Sequence, residues 1–334
     1  MKLSLLDQLH ISPGESSAST LAQTIRLARH LEALGFARHW IVEHHAVPYE
    51  LCADPMLMAL GLAQATTTMR VGVGGVLLNN YSPYKVAESL KTLALLAPDR
   101  IDVGLGNSIS GALPDLALQV DRNQKPAHDQ GAKIEELLGH LYSDLPVDHQ
   151  FAPLTILPDV APTLPWIMAV SPNSGARAGR LGLPLALSAF HRPEEAVATA
   201  EAYRKAFRPS GREGLPEGPQ SFLALRLFVA PTLAEAERLA MPMRWAFDQR
   251  RRLSLMPQAL PTIEEAIERA GGLWPAPAEP WPMYVITALD QLRGRLFKMA
   301  EALGTHEIML QDAIPHPQMR LEHYSQIAEE MAKG

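Results

Sequence analysis

The chain has 334 residues, 47% of them hydrophobic and 20% charged, with a formal net charge of -6. This mildly acidic balance, with no basic stripe among aromatics, argues against a nucleic-acid partner, and no segment reaches the roughly 18 continuous apolar residues of a membrane span. The single cysteine, Cys52, excludes an intrachain disulfide framework and a multi-cysteine metal site; the chain reads as soluble and cytoplasmic.

In chain order, KLSLLD (2–7) precedes a helical stretch, TLAQTIRLARHLEAL (20–34), that ends at Gly35. RHWIVEH (38–44) precedes DPMLMALGLAQAT (54–66), where Asp54 is placed to cap the helix and Pro55 sits at its first position. MRVGVGGVLL (69–78) leads into SPYKVAESLKTLALL (82–96), and RIDVGLG (100–106) into a Glu- and Leu-rich helix over about 126–142. The rhythm returns in PWIMAV (165–170), PLALSAF (184–190), SFLALRLFVA (221–230) and EIMLQD (307–312). Strand–helix units repeating in this way imply a parallel sheet. Eight of them in this length predict a closed (β/α)8 TIM barrel rather than an open doubly wound sheet. No G-x-G-x-x-G follows the first strand. Residues 1–334 read as one barrel domain with insertions at 143–165 and 256–283, of the kind that form lids or interface pieces.

Such a barrel builds its site at the C-terminal strand ends. The residues there are Asp7, Glu43-His44-His45, Gly74-Gly75, Gly104-Leu105-Gly106-Asn107-Ser108 and Ser171-Pro172-Asn173-Ser174. Three ionisable side chains in a row are costly to bury, so Glu43-His44-His45 is either solvated or held for chemistry. Adjacent strand residues face opposite ways, so His44 and His45 cannot easily chelate one metal together. The other histidines carry no metal spacing. Glycines inside a strand cost stability; Gly74-Gly75 and the pair Gly104 and Gly106 suggest a bulge or the close approach of one flat ligand. Ser171 is placed to cap a helix begun by Pro172, leaving N–H groups of Asn173, Ser174 and Gly175 for an anion such as phosphate. An ordinary capped helix has the same sequence, and Arg177 is either an assisting cation or part of a solvated face.

Five segments carry a resemblance: LEALGFARHWIVEHH (31–45), MRVGVGGVLLNNYSPYKVAE (69–88), RIDVGLG (100–106), VSPNSGARAGRLGLPLAL (170–187) and VAPTLAEAERLA (229–240). Together the chain resembles the luciferase-like flavin monooxygenase family, which includes bacterial luciferase and many reduced-flavin-dependent oxygenases. The resemblance implies a (β/α)8 barrel, commonly dimeric, that binds FMN at its C-terminal end. It places His44 on the family's active-site histidine. Gly74-Gly75 fall on a strand bulge, often a non-proline cis peptide, that backs the flavin ring, and Ser171 and Ser174 on a phosphate-binding helix start. Asp7, Tyr81, Asn107 and Asn173 complete the expected cofactor contacts. Two departures stand out. Asn107 occupies a position where the family often has a phosphate-binding arginine, and Tyr81 one where histidine is common. Gly106 stands where luciferase has a reactive cysteine, so light emission is not implied.

The implied chemistry is oxygenation of a small organic substrate by O2 and reduced FMN, which a separate reductase supplies. FMN carries the reactivity, and the protein holds the ring, excludes water and offers a proton donor or acceptor. A histidine does either proton task near neutral pH, so His44 is expected to face the flavin while Glu43 and His45 point to the barrel wall and orient it. Two alternatives stay open: hydride transfer with the deazaflavin F420 on the same fold, and a flavin-binding protein without turnover.

Overall fold

Runs rich in Leu, Ile and Val suit strands covered on both faces, and every such run here pairs in parallel. A computed structural model describes residues 1–106, 108, 110–119, 130–253 and 258–333. Its strands are β1 (Lys2–Asp7), β2 (Arg38–Ile41), β3 (Arg70–Leu77), β4 (Ile101–Gly106), β5 (Leu164–Ala169), β6 (Leu185–Ser188), β7 (Ser221–Ala230), β8 (Val285–Ala288) and β9 (Glu307–Gln311). The order is β6-β5-β4-β3-β2-β1-β9-β7-β8, and a β6–β7 pairing closes the ring. Eight strands, β1 to β7 and β9, therefore form the expected barrel. The short β8 is an addition, paired only along the upper half of β7, from Leu227 to Ala230.

The helices are α1 (Ser17–Ala33), α2 (Pro55–Ala65), α3 (Pro83–Leu96), α4 (Ala112–Leu118), α5 (Gln130–Tyr142), α6 (Pro172–Arg180), α7 (Ala196–Ala206), α8 (Leu233–Leu253), α9 (Ile263–Arg269), α10 (Leu289–Leu303) and α11 (Pro317–Ala332). Asp54 caps α2 by accepting the Leu57 N–H at 3.2 Å, with Pro55 in the first turn as expected. Among the described residues no helix is long and apolar enough to cross a membrane.

The barrel interior is filled rather than open. Leu6, Trp40, Trp166, Phe222 and Met309 pack there, with the Trp40 and Trp166 rings 5.1 and 4.8 Å from that of Phe222. Trp40 explains most of the strand glycines. A Cβ on Gly74 would lie 2.7 Å from the indole, and one on Gly104 2.9 Å from it. The flat group that Gly74 and Gly104 admit on their inner side is thus this chain's own tryptophan, whereas a Cβ on Gly75 would meet the Gly104 carbonyl and Met168. Below the indole, Arg38 reaches Glu307 at 2.7 Å and Arg70 reaches Asp102 at 2.6 Å, so the charges that plug the lower end are paired.

A separate apolar cluster sits at the upper end, where Phe228, Met243, Tyr284 and Ile286 meet Tyr49 and Ile314. It joins α8, α9 and β8 to the barrel rim. The insertion at 256–283, described from residue 258, is therefore a cap with its own core, whereas 143–163 carries no regular element.

Candidate active site

Strand β2 ends at Ile41, so Glu43-His44-His45 lie in the segment beyond it and not on the strand itself. Trp40 and Val42 still face the interior, and that alternation brings His44 to the mouth. Its N–H donates to the Cys52 carbonyl at 2.9 Å. Its Nδ1 meets the carboxylate of Glu50, which His10 approaches from the other side at 3.4 Å. Burial pushes the Glu50 pKa up, but hydrogen bonds from His10 and His44 outweigh it and bring it down to about 2. A carboxylate ionised at neutral pH keeps the Nδ1 proton of His44 in place. Nε2 is then the nitrogen left to give or take a proton.

Glu43 and His45 do not orient His44. Glu43 is buried and accepts from the Leu77 N–H at 2.9 Å, the Tyr81 hydroxyl at 2.7 Å and His45 Nε2 at 2.8 Å. The three bonds tie the end of β3 to the segment after β2. Tyr81, expected at the cofactor, has its hydroxyl engaged there; burial and the Glu43 charge raise its pKa, so it remains a donor. Asp7 is also corrected. Leu6 faces the interior, so its neighbour turns outward, where Asp7 binds Arg320 at 3.0 Å and His39 at 3.2 Å. Burial alone would raise the Asp7 pKa, but the Arg320 and His39 charges hold it well below the usual carboxylate range. It serves the β1–α11 seam.

Within β3 the expected bulge is present: the register against β4 shifts between Gly74 and Val76, and the Gly74–Gly75 peptide bond is cis. At α6, Ser174 N–H donates to Ser171 Oγ at 3.4 Å and Ser171 N–H to Ser174 Oγ at 3.1 Å, a reciprocal cap. Gly175 N–H donates to the Ser171 carbonyl at 3.0 Å. Of the three amides expected to be free, only that of exposed Asn173 is left to an anion among these contacts. Gly175 and Gly179 serve packing, since a Cβ on either would strike α7 backbone at 2.5 Å. Arg177 turns toward β4: it donates to Gln130 Oε1 at 2.9 Å, and Gln130 donates to the Gly106 carbonyl at 2.8 Å. Asn107 lies outside the described residues.

The luciferase-like monooxygenase family model matches residues 1–282. The chain belongs to this family. The N-acetyl-S-alkylcysteine monooxygenase of Bacillus subtilis is 36% identical over 243 residues, covering 71% of this chain and 70% of that one. The crystal structure of apo-MsnO8 superposes with a TM-score of 0.86 at 33% identity, covering 98% of both chains. Two more distant structures show the fold alone. One is a type II Baeyer-Villiger monooxygenase from Pseudomonas putida in complex with FMN (18% identity, TM-score 0.72, 99% of this chain and 98% of that one). The other is an F420-dependent secondary alcohol dehydrogenase (15% identity, TM-score 0.63, 99% of each).

In this luciferase-like monooxygenase the sequence reading missed Glu50, which stands beyond the EHH motif and is brought back by the turn through Ala46, a residue with φ of 55°. It also missed Arg226, Gln311 and Ser188 at the mouth. Arg226 had a signal: it is the only charge in the otherwise apolar SFLALRLFVA run, and a lone buried charge needs a reason. Ser188, on the interior face at the end of β6, is buried with no hydrogen-bond partner for Oγ among the described residues. An orphaned buried hydroxyl at a barrel strand end fits a polar cofactor such as FMN.

Proposed function

We propose that this chain is the oxygenase of a two-component system, taking reduced FMN from a separate reductase and using O2 to oxygenate a small organic substrate. The observation that carries this reading is the His44–Glu50 pair at the barrel mouth. Bound FMN, when reduced, supplies the oxygen-activating chemistry. The α6 start, Asn173 and the Ser188 hydroxyl would hold the cofactor, and the bulge at Gly74-Gly75 would back its ring. His44, held through Nδ1 by Glu50, manages a proton at Nε2, and the cap of α8, α9 and β8 limits water. The cofactor is tested by anaerobic titration with reduced FMN and with F420. Saturable binding of reduced FMN, followed by O2-dependent product formation with a substrate panel, is expected. Binding of F420 alone would replace the reading with hydride transfer.

The pairing of copies belongs to the same proposal. Between α2 and α3 lies an open cavity of about 420 Å³, lined by Leu57, Leu60, Leu96 and the Glu43–Tyr81 pair. Leu57 and Leu96 are both exposed there. Exposed leucines gathered on one face favour a covered interface, and a second copy of the chain covers it here. Sedimentation equilibrium should give a dimer, and Leu57→Asp a monomer.

A further inference from the structure

We propose that Arg226 anchors the substrate of this monooxygenase through a carboxylate, so that the substrate class is organic acids; the inference rests on the oxygenase reading above. Arg226 lies on the interior face of β7 and is 2% exposed. A charge so deep is normally neutralised by a partner. The other arginines of the barrel interior obey this, Arg38 and Arg70 meeting Asp102 and Glu307. Arg226 has no carboxylate within ion-pairing distance among the described residues.

Its surroundings are neutral. Nε donates to Gln311 Oε1 at 2.8 Å. The guanidinium lies 4.5, 4.2 and 5.5 Å from the ring centres of Phe190, Phe247 and Tyr284, and the Tyr284 hydroxyl is also beside it. The nearest acid felt there, Glu50, is already taken by His44 and His10. Burial lowers the Arg226 pKa to about 10, which leaves it charged at neutral pH. Arg250, on the last turn of α8, adds a second positive charge felt at Arg226. Two positive charges acting together, with the one acid felt at Arg226 already bound by two histidines, call for an anionic guest.

Carboxylate suits the geometry. With Nε held by Gln311 and the Tyr284 hydroxyl beside the guanidinium, the terminal N–H groups form a planar fork that matches carboxylate oxygens in a bidentate pair. The flavin phosphate is placed elsewhere, at the start of α6 after β5, two strands around the ring from β7. Because Glu50 acts on both Arg226 and His44, an acid group held at Arg226 leaves the rest of the molecule at the catalytic histidine. The related enzyme named for N-acetyl-S-alkylcysteine takes a compound with one carboxylate, which supplies a probe.

The test is calorimetric titration of the protein, with and without FMN, by N-acetyl-S-ethylcysteine and by its methyl ester. The acid should bind at least tenfold more tightly than the ester. Arg226→Gln should bring the two within about twofold, and Arg226→Lys should keep part of the preference, separating charge from packing. Equal or tighter binding of the ester, no binding of the acid, or an undiminished preference in Arg226→Gln would each overturn the proposal. So would a loss of FMN affinity in Arg226→Gln that matches the loss of acid affinity. Failure of the wild-type protein to bind FMN would instead count against the cofactor reading, because the acid–ester contrast is also read without flavin.

Discussion

At the scale of single residues, the role proposed for His44 rests on Glu50. A carboxylate against Nδ1 fixes the tautomer and the orientation of the ring. Glu50→Gln should therefore keep FMN affinity within about twofold and lower product formation roughly tenfold or more; an undiminished rate would remove Glu50 from the mechanism. The glycines make a second test. Gly74→Ala drives a methyl into Trp40 and Leu6, which lie 2.7 and 2.8 Å from the new carbon, whereas Gly106→Ala meets nothing closer than 3.7 Å. Overpacking typically costs about 1–3 kcal/mol, so urea denaturation should find Gly74→Ala destabilised by about that much and Gly106→Ala near wild type. The place of His44 at the barrel mouth was legible because Trp40 and Val42 alternate into the barrel. Asp7 was misread because a strand-end position says nothing of which face it takes, and here Leu6 holds the inner one.

At the scale of elements, the helix starts were readable and their consequences less so. Ser171 and Ser174 do cap α6, but the cap consumes two of the amides that the sequence offered to a phosphate. Ser171→Ala should cost about 1 kcal/mol of stability, and it should weaken FMN more than riboflavin, because only FMN carries the phosphate. Equal weakening of both ligands in a fluorescence titration would move the phosphate away from α6. All eight barrel strands begin within a residue of the predicted position, and β1 and β7 match it in full, since runs buried on both faces leave a strong apolar signal. β8 left none: four residues, VITA, follow a stretch rich in proline and tryptophan. The Glu50 contact was equally hidden, because it depends on a loop path that residue spacing does not encode.

At the scale of the molecule, buried ionisable groups make stability depend on pH in two windows. His323 is buried with Nδ1 3.1 Å from the Val229 carbonyl, and burial lowers its pKa to about 4. The unfolded chain, with an ordinary histidine pKa near 6.5, takes up the proton first, so stability is full above that value and is lost as pH falls toward 4. The loss is roughly 3 kcal/mol from this one group. Asp7 acts lower, its contribution fading as pH drops beneath the usual carboxylate range. Denaturant midpoints should fall between pH 6.5 and 4, and His323→Gln should flatten that limb; an unchanged slope would show that His323 is not the group responsible. Barrel closure through β6–β7, the cap over the mouth and the α11 seam together hold His44, Glu50 and Arg226 at one end of the fold. On the proposed reading, this end of the barrel controls the reaction of reduced FMN with O2. The most direct test is to mix anaerobic protein carrying reduced FMN with oxygenated buffer and follow hydrogen peroxide release, beside free reduced FMN. The wild-type protein should release it several-fold more slowly than free flavin does, and His44→Ala should bind the flavin yet release it at close to the free rate. Release from the wild-type complex as fast as from free FMN would contradict the account.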